Sequence, residues 1–187
     1  MWFLLACASS ELTLDGVDDY RAVELHDVDG PAITIEAWIY PEEGGAPRQN
    51  ILARRDPKEG NDAFTFRLRQ DWGGVLELGL AAQGGTWGTF GKIKLPRSQW
   101  SFVAVTHDRQ SRQVCFFVNA QPDRCDQSPI PPGKGELPTW IGGDPLHGPK
   151  ARPFKGKIKG VRVWTSLRTA AEIQADMAGG KGGIEVL

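Results

Sequence analysis

Apolar and polar residues alternate through almost all of this 187-residue chain, and turns containing Gly or Pro interrupt the alternation about every ten residues. A period of two sends successive side chains to opposite faces of an extended strand. In ITIEAWIY, Ile33, Ile35, Ala37 and Ile39 take one face, and Thr34, Glu36, Trp38 and Tyr40 take the other. A strand with useful groups on both faces belongs inside a sandwich with one face partly covered. The pattern predicts strands over 11–14, 20–25, 32–40, 50–54, 63–69, 74–81, 86–93, 100–107, 112–118, 123–127, 138–142 and 156–164. Turn signals separate them, among them Glu43-Gly44-Gly45, Asp71-Trp72-Gly73-Gly74, Gln83-Gly84-Gly85 and the proline-rich SPIPPGKGELP at 128–138. One helix is predicted near the end. Thr169-Ala170-Ala171-Glu172 has the spacing of a capping box, Ala171, Ile173, Ala175 and Met177 supply apolar contacts, and Gly179-Gly180 ends the run. The remaining KGGIEVL reads as a short closing strand or as a tail. The expectation is one all-β sandwich with a short C-terminal helix.

Charge and composition exclude some partners. The 22 basic and 23 acidic residues leave a net charge of −1 and form no basic stripe, which argues against nucleic acid. No apolar run approaches the ~20 residues of a membrane span. The opening MWFLLACASS has an apolar run ending at Cys7, as in a lipoprotein cleavage box, but lacks a basic start and the length of a working signal. Residues 1–10 therefore read either as a leader remnant with a lipid-anchor site at Cys7 or as a disordered N-terminus, with a single domain over 11–187. Of the other cysteines, Cys115 and Cys125 could pair in an oxidising compartment. A two-residue turn at Asn119-Ala120 sets Cys115 opposite Arg124, whereas a three-residue loop sets the cysteines opposite each other.

Candidate chemistry is sparse. No glutamate has an aspartate two positions later, so the E-x-D run that puts paired carboxylates on one strand face is absent. Glu36 is the one strand-centred carboxylate of interest, beside Trp38. His26, His107 and His147 sit in no nucleophile-elbow or zinc-type motif. His107 reads as structural or surface, and His147, in the loop DPLHGPK, as a ligand contact. In LDGVDDY, Asp15, Asp18 and Asp19 suit either a hairpin turn, since Asp-Gly is a strong turn signal, or a calcium ion, which takes six to eight hard oxygens. Trp72 falls at a hairpin tip, where its ring is expected in solvent. Trp87 and Phe90, flanked by glycines in GGTWGTFGK, join it as candidate binding aromatics. Trp38, Trp100, Trp140 and Trp164 are expected to pack in the core.

Several blocks, in order, resemble the LamG-like, concanavalin A-like jelly-roll domains of the pentraxin-like branch. They are LTLDGVDDYRAVEL at 12–25, ITIEAWIYP at 33–41, WSFVAVTHD at 100–108, VCFFVNAQ at 114–121, TWIGGDP at 139–145 and FKGKIKGVRVWTSLRTAAEIQADM at 154–177. The resemblance implies a jelly roll that, in different relatives, hosts lectins, adhesion modules and glycan-degrading enzymes. It implies a secreted or envelope-attached module binding a glycan or an extracellular protein, with calcium as the one expected cofactor. Asp144 is the single acid after the family's I-G strand, and with Asp15 and Asp18 completes the candidate metal set. Where the family carries an acidic pair in its last long strand, this chain has Lys159 and Gly160. Lys159 is therefore expected to pair with Asp15 in place of a structural cation. The alternatives are a divergent glycan-degrading enzyme, with a carboxylate pair assembled from different elements, or a structural adhesion domain.

Overall fold

A computed structural model describes residues 11–26, 28–55, 62–82, 85–132, 136–145 and 152–187. Two antiparallel sheets face each other. The first takes β1 (Glu11–Asp15), β12 (Lys155–Trp164), β3 (Ala32–Pro41), β8 (Ser101–Asp108), β9 (Gln113–Val118) and β10 (Gln121–Gln127) in that order, with β13 (Ile184–Glu185) also on β12. The second runs β2 (Arg21–Val23), β11 (Thr139–Ile141), β4 (Arg48–Arg55), β5 (Asp62–Arg69), β6 (Val75–Ala82) and β7 (Gly85–Phe90). Each strand expected from the alternation is present, and the KGGIEVL segment supplies β13.

The core lies between the sheets. Ile33, Ile35, Ala37 and Ile39 of β3 meet Phe64, Phe66 and Leu68 of β5 and Leu76, Leu78 and Leu80 of β6, all buried. Burying a Leu, Ile or Phe side chain contributes about 1.5–3 kcal/mol, so this double layer is the main source of stability. A second, smaller cluster forms on the outside of the first sheet. There α1 (Ala170–Met177) lays Ile173 and Met177 over Phe102, Ala104, Cys115 and Phe117, with Trp38 at its margin. The expected capping box is formed: Glu172 N donates to Thr169 Oγ1 at 3.3 Å, and Thr169 N donates to Glu172 Oε2 at 2.8 Å. Arg168 ties α1 to the end of β12. Its Nε and Nη2 donate to Asp176 at 3.0 and 2.9 Å, and its guanidinium lies 3.9 Å from the Trp164 ring.

The disulfide between Cys115 and Cys125 is formed, through a two-residue turn and a bulge rather than through the three-residue loop. Asn119 and Ala120 both have positive φ, 49° and 61°, as a two-residue type I′ turn requires, and Val118 pairs with Gln121. A bulge between Pro122 and Cys125 then adds one residue and brings Cys125 opposite Cys115. The bulged strand also reaches across the open edge of the sandwich. Asp123 accepts from Lys92 N at 2.9 Å and Ile93 N at 3.1 Å, and Asp126 accepts from Thr89 Oγ1 at 2.8 Å.

None of the four strand tryptophans expected in the core lies in the main cluster between the sheets. Trp38, Trp100 and Trp164 are half-buried, Trp38 at the margin of the helix-side cluster and Trp100 against Tyr40. Trp140 is buried opposite Ala53 and Ala22 on the outer face of the second sheet. The parity of ITIEAWIY already sets Trp38 opposite the core-facing isoleucines. His107 is completely buried, and burial, reinforced by the charge of Arg109, lowers its pKa to about 4. Among the described residues no helix is long and apolar enough to cross a membrane.

Candidate functional site

Among the described side chains of β5, Thr65, Arg67 and Arg69 do not enter the core, because Phe64, Phe66 and Leu68 take the other face. Register brings matching groups beside them: Asn50 of β4 and Glu77 of β6 flank Arg67, while Arg48 of β4 stands opposite Arg69. Arg67 Nε donates to Asn50 Oδ1 at 3.0 Å and its Nη1 to Glu77 Oε1 at 3.2 Å. Arg69 donates twice to Asp71, both at 2.8 Å, and reaches Glu77 at 3.5 Å. Further along the face Arg55 Nη1 lies 2.6 Å from Asp144 Oδ2. The carbonyl of Arg152, a residue with φ +56°, accepts from Asn50 N at 2.9 Å. Burial, followed by the like charges of Arg48 and Arg55, holds the Arg152 guanidinium below its ordinary range.

Five guanidiniums (Arg48, Arg55, Arg67, Arg69 and Arg152) thus share this face with three carboxylates, Asp71, Glu77 and Asp144, among the described residues. Arg55, Arg67 and Arg69 are spent in buried ion pairs. The half-buried Arg48 and Arg152 make no side-chain hydrogen bond among the described residues, so the local excess of positive charge rests with them. Sequence reading missed this set. Its one available signal was parity in FTFRLR, which sends Arg67 and Arg69 to the same side.

Trp72 ends a single 3-10 turn, Gln70–Trp72, at the β5–β6 tip and is 50% exposed, as expected. Its ring lies 4.4 Å from that of Phe90 and 4.0 Å from the Arg69 guanidinium, forming an aromatic ledge at the margin of the arginine face. Trp87 does not join them. It pairs with Leu80 and packs half-buried against the main core, because a spacing of three along a strand puts Trp87 and Phe90 on opposite faces. His147 lies outside the described residues, as does Cys7.

The expected metal set divides. Asp144 is buried against Arg55 and is not part of the cluster that Asp15, Asp18 and Asp19 form. Carboxylate oxygens of Asp15, Asp18 and Asp19 lie within 4.8 Å of one another, all exposed. They close a turn by themselves. Asp15 Oδ1 accepts from Val17 N at 2.8 Å and Asp18 N at 3.4 Å, Asp19 Oδ2 accepts from Asp15 N at 3.0 Å, and Gly16 takes φ +79°. These bonds hold the Asp15 carboxyl below its usual range. With one oxygen each of Asp15 and Asp19 already accepting from backbone amides, the melting temperature is expected to be the same in EDTA and in millimolar calcium. Saturating calcium at a true site would add about 2.7 kcal/mol at 100 times its Kd, so a rise of several degrees would make this turn a cation site. The Asp15–Lys159 ion pair is not formed. Asp15 stands opposite Lys155 and Lys159 opposite Glu11, and the Lys159 ammonium lies 4.2 Å from the Trp100 ring centroid.

Residues 15–174 match the family model described as the concanavalin A-like lectin/glucanases superfamily. The chain belongs to that superfamily. No curated protein sequence matches this concanavalin A-like domain significantly. Among solved structures it is similar to a heptameric SAP-like pentraxin from Limulus polyphemus, at 14% identity and TM-score 0.68, covering 89% of this chain and 81% of that one. It is also similar to the CBM40 module of a Ruminococcus gnavus sialidase bound to α2,3-sialyllactose, at 16% identity and TM-score 0.67, covering 91% and 100%. A leech intramolecular trans-sialidase shares the fold over 94% of this chain and 28% of its own, at 16% identity and TM-score 0.63.

Proposed function

We propose that this concanavalin A-like domain is a non-catalytic glycan-binding module, secreted or attached to the cell envelope, and that the outer face of its second sheet takes sugars bearing a carboxylate. The observation that carries the reading is the guanidinium excess of Arg48 and Arg152 beside the exposed Trp72 ledge. A guanidinium fork matches a carboxylate with two parallel hydrogen bonds, and a flat indole suits the apolar face of a sugar ring at low ordering cost. The ligand bound to the CBM40 neighbour, α2,3-sialyllactose, is an acidic glycan of this class. The Cys115–Cys125 disulfide fits an oxidising compartment.

On a glycan array the domain is expected to retain sialylated or uronate-bearing glycans and to release them as salt rises. Arg152→Ala and Trp72→Ala should each weaken binding about tenfold without changing the melting temperature. Equal binding to the matching neutral glycans would overturn the reading.

A further inference from the structure

The opposite side of the molecule holds a cavity that plays no part in the arginine face. It opens between the outer face of the first sheet and the C-terminal end of α1, with a volume of about 520 Å3. Trp38, Trp100, Phe102 and Met177 form its walls, and Trp38 and Phe102 meet edge-on at 5.3 Å. Glu36 and Asp176 lie at its floor, while Lys159 and Arg162 line it from β12. The two carboxyl groups have different fates. Both oxygens of Asp176 are held by Arg168. Glu36 is 1% exposed. Its Oε2 accepts from the Trp164 indole at 2.9 Å, while its Oε1 is buried beside the Asp176 carboxyl with no hydrogen-bond partner within 3.5 Å. A buried polar atom left without a partner is costly, so one on a side chain that lines an open cavity marks a place for a ligand atom.

We propose that this cavity is a second ligand site, built for a neutral pyranose ring whose hydroxyl group hydrogen-bonds Glu36 Oε1. The lining selects that chemistry. A wholly apolar guest would leave Oε1 unsatisfied. An anionic sugar would bring its carboxylate against Glu36 and Asp176, and an ammonium group would meet Lys159 and Arg162. A pyranose brings hydroxyl donors without charge and offers an apolar C–H face to Trp38 and Trp100, and its other hydroxyls can accept from Lys159 and Arg162. The volume lies in the range of about 300–1,000 Å3 usual for small-molecule sites. The site shares no residue with the arginine face, so the two readings stand or fall separately.

The test is a titration of the labelled full chain with a panel of uncharged methyl hexopyranosides, followed through the tryptophan indole N–H resonances. The signals of Trp38, Trp100 and Trp164 are expected to shift with at least one sugar, while that of Trp72 stays in place. Met177→Trp, which fills the cavity from the helix side, should abolish the shifts, and Arg152→Ala should leave them intact. Should Met177→Trp fail to fold, Trp100→Ala removes a wall instead and should weaken the affinity about tenfold. Absence of shifts at all three indoles across the panel, or shifts that survive filling of the cavity, would overturn the proposal.

Discussion

Arg67→Ala is expected to destabilise the domain by about 3–5 kcal/mol, the usual cost of breaking one side of a buried ion pair. Arg67 and Glu77 are each only 4% exposed, and Arg67 joins Asn50 on one neighbouring strand to Glu77 on the other. With the guanidinium gone, Glu77 keeps the long 3.5 Å contact to Arg69, and Asn50 Oδ1 loses a donor. The loss is one of compensation more than of attraction, since well-packed apolar pairs often equal a buried ion pair. The double variant Arg67→Met/Glu77→Leu should therefore recover most of the deficit. Urea unfolding of the three proteins checks this. A loss below about 1 kcal/mol for Arg67→Ala would show that the pair is dispensable.

The second large effect is a pH dependence hidden by cancellation. Burial first, and then the neighbouring charge of Asp176, raise Glu36 from its ordinary 4.5 to about 7, against the Trp164 hydrogen bond that pulls it down. Its folded pKa is raised, so the unfolded chain gives up this proton first. The stabilisation is complete below pH 4.5 and is lost as pH rises through 7. His107 works in the other direction. Its folded pKa lies near 4 against an ordinary 6.5, so stability is lost as pH falls below 6.5. Between these limits the two slopes oppose each other.

Glu36→Gln keeps the shape and the acceptor for Trp164 while removing one slope. Relative to the unsubstituted protein its stability is expected to gain roughly 3 kcal/mol between pH 4 and pH 8. Its own curve should then fall on the acidic side, through His107. Denaturant midpoints measured across this range decide the matter. A stability difference that does not vary with pH would mean that Glu36 titrates normally.

The sandwich was legible because each strand alternates and each turn is marked by glycine or proline. The capping box at Thr169 was equally local. What escaped was register and what covers each face. The bulge after Pro122 has no sequence signal, so from sequence the two-residue turn that forms is the one that sets Cys115 opposite Arg124. Trp87 and Phe90 read as partners from their glycine-rich setting, although their odd spacing already separates them. The arginine face needed the lateral alignment of β4, β5 and β6, which no single strand states. The cavity required knowing that α1 lies across the first sheet and brings Asp176 beside Glu36, a meeting of distant segments that only packing specifies.

The bulge in β10 has a consequence beyond its cysteines. The same extra residue that aligns Cys125 with Cys115 belongs to the stretch whose Asp123 and Asp126 hold the neighbouring sheet's last strand and the loop after it. Shortening this hairpin by one residue would break the sulfur bridge and misdirect both aspartates together, whereas many single substitutions would touch one of them. Selection on this segment should therefore act on its length before its composition. Related chains should tolerate substitutions there better than insertions and deletions, although the segment lies on an exposed edge where changes of length are ordinarily cheap.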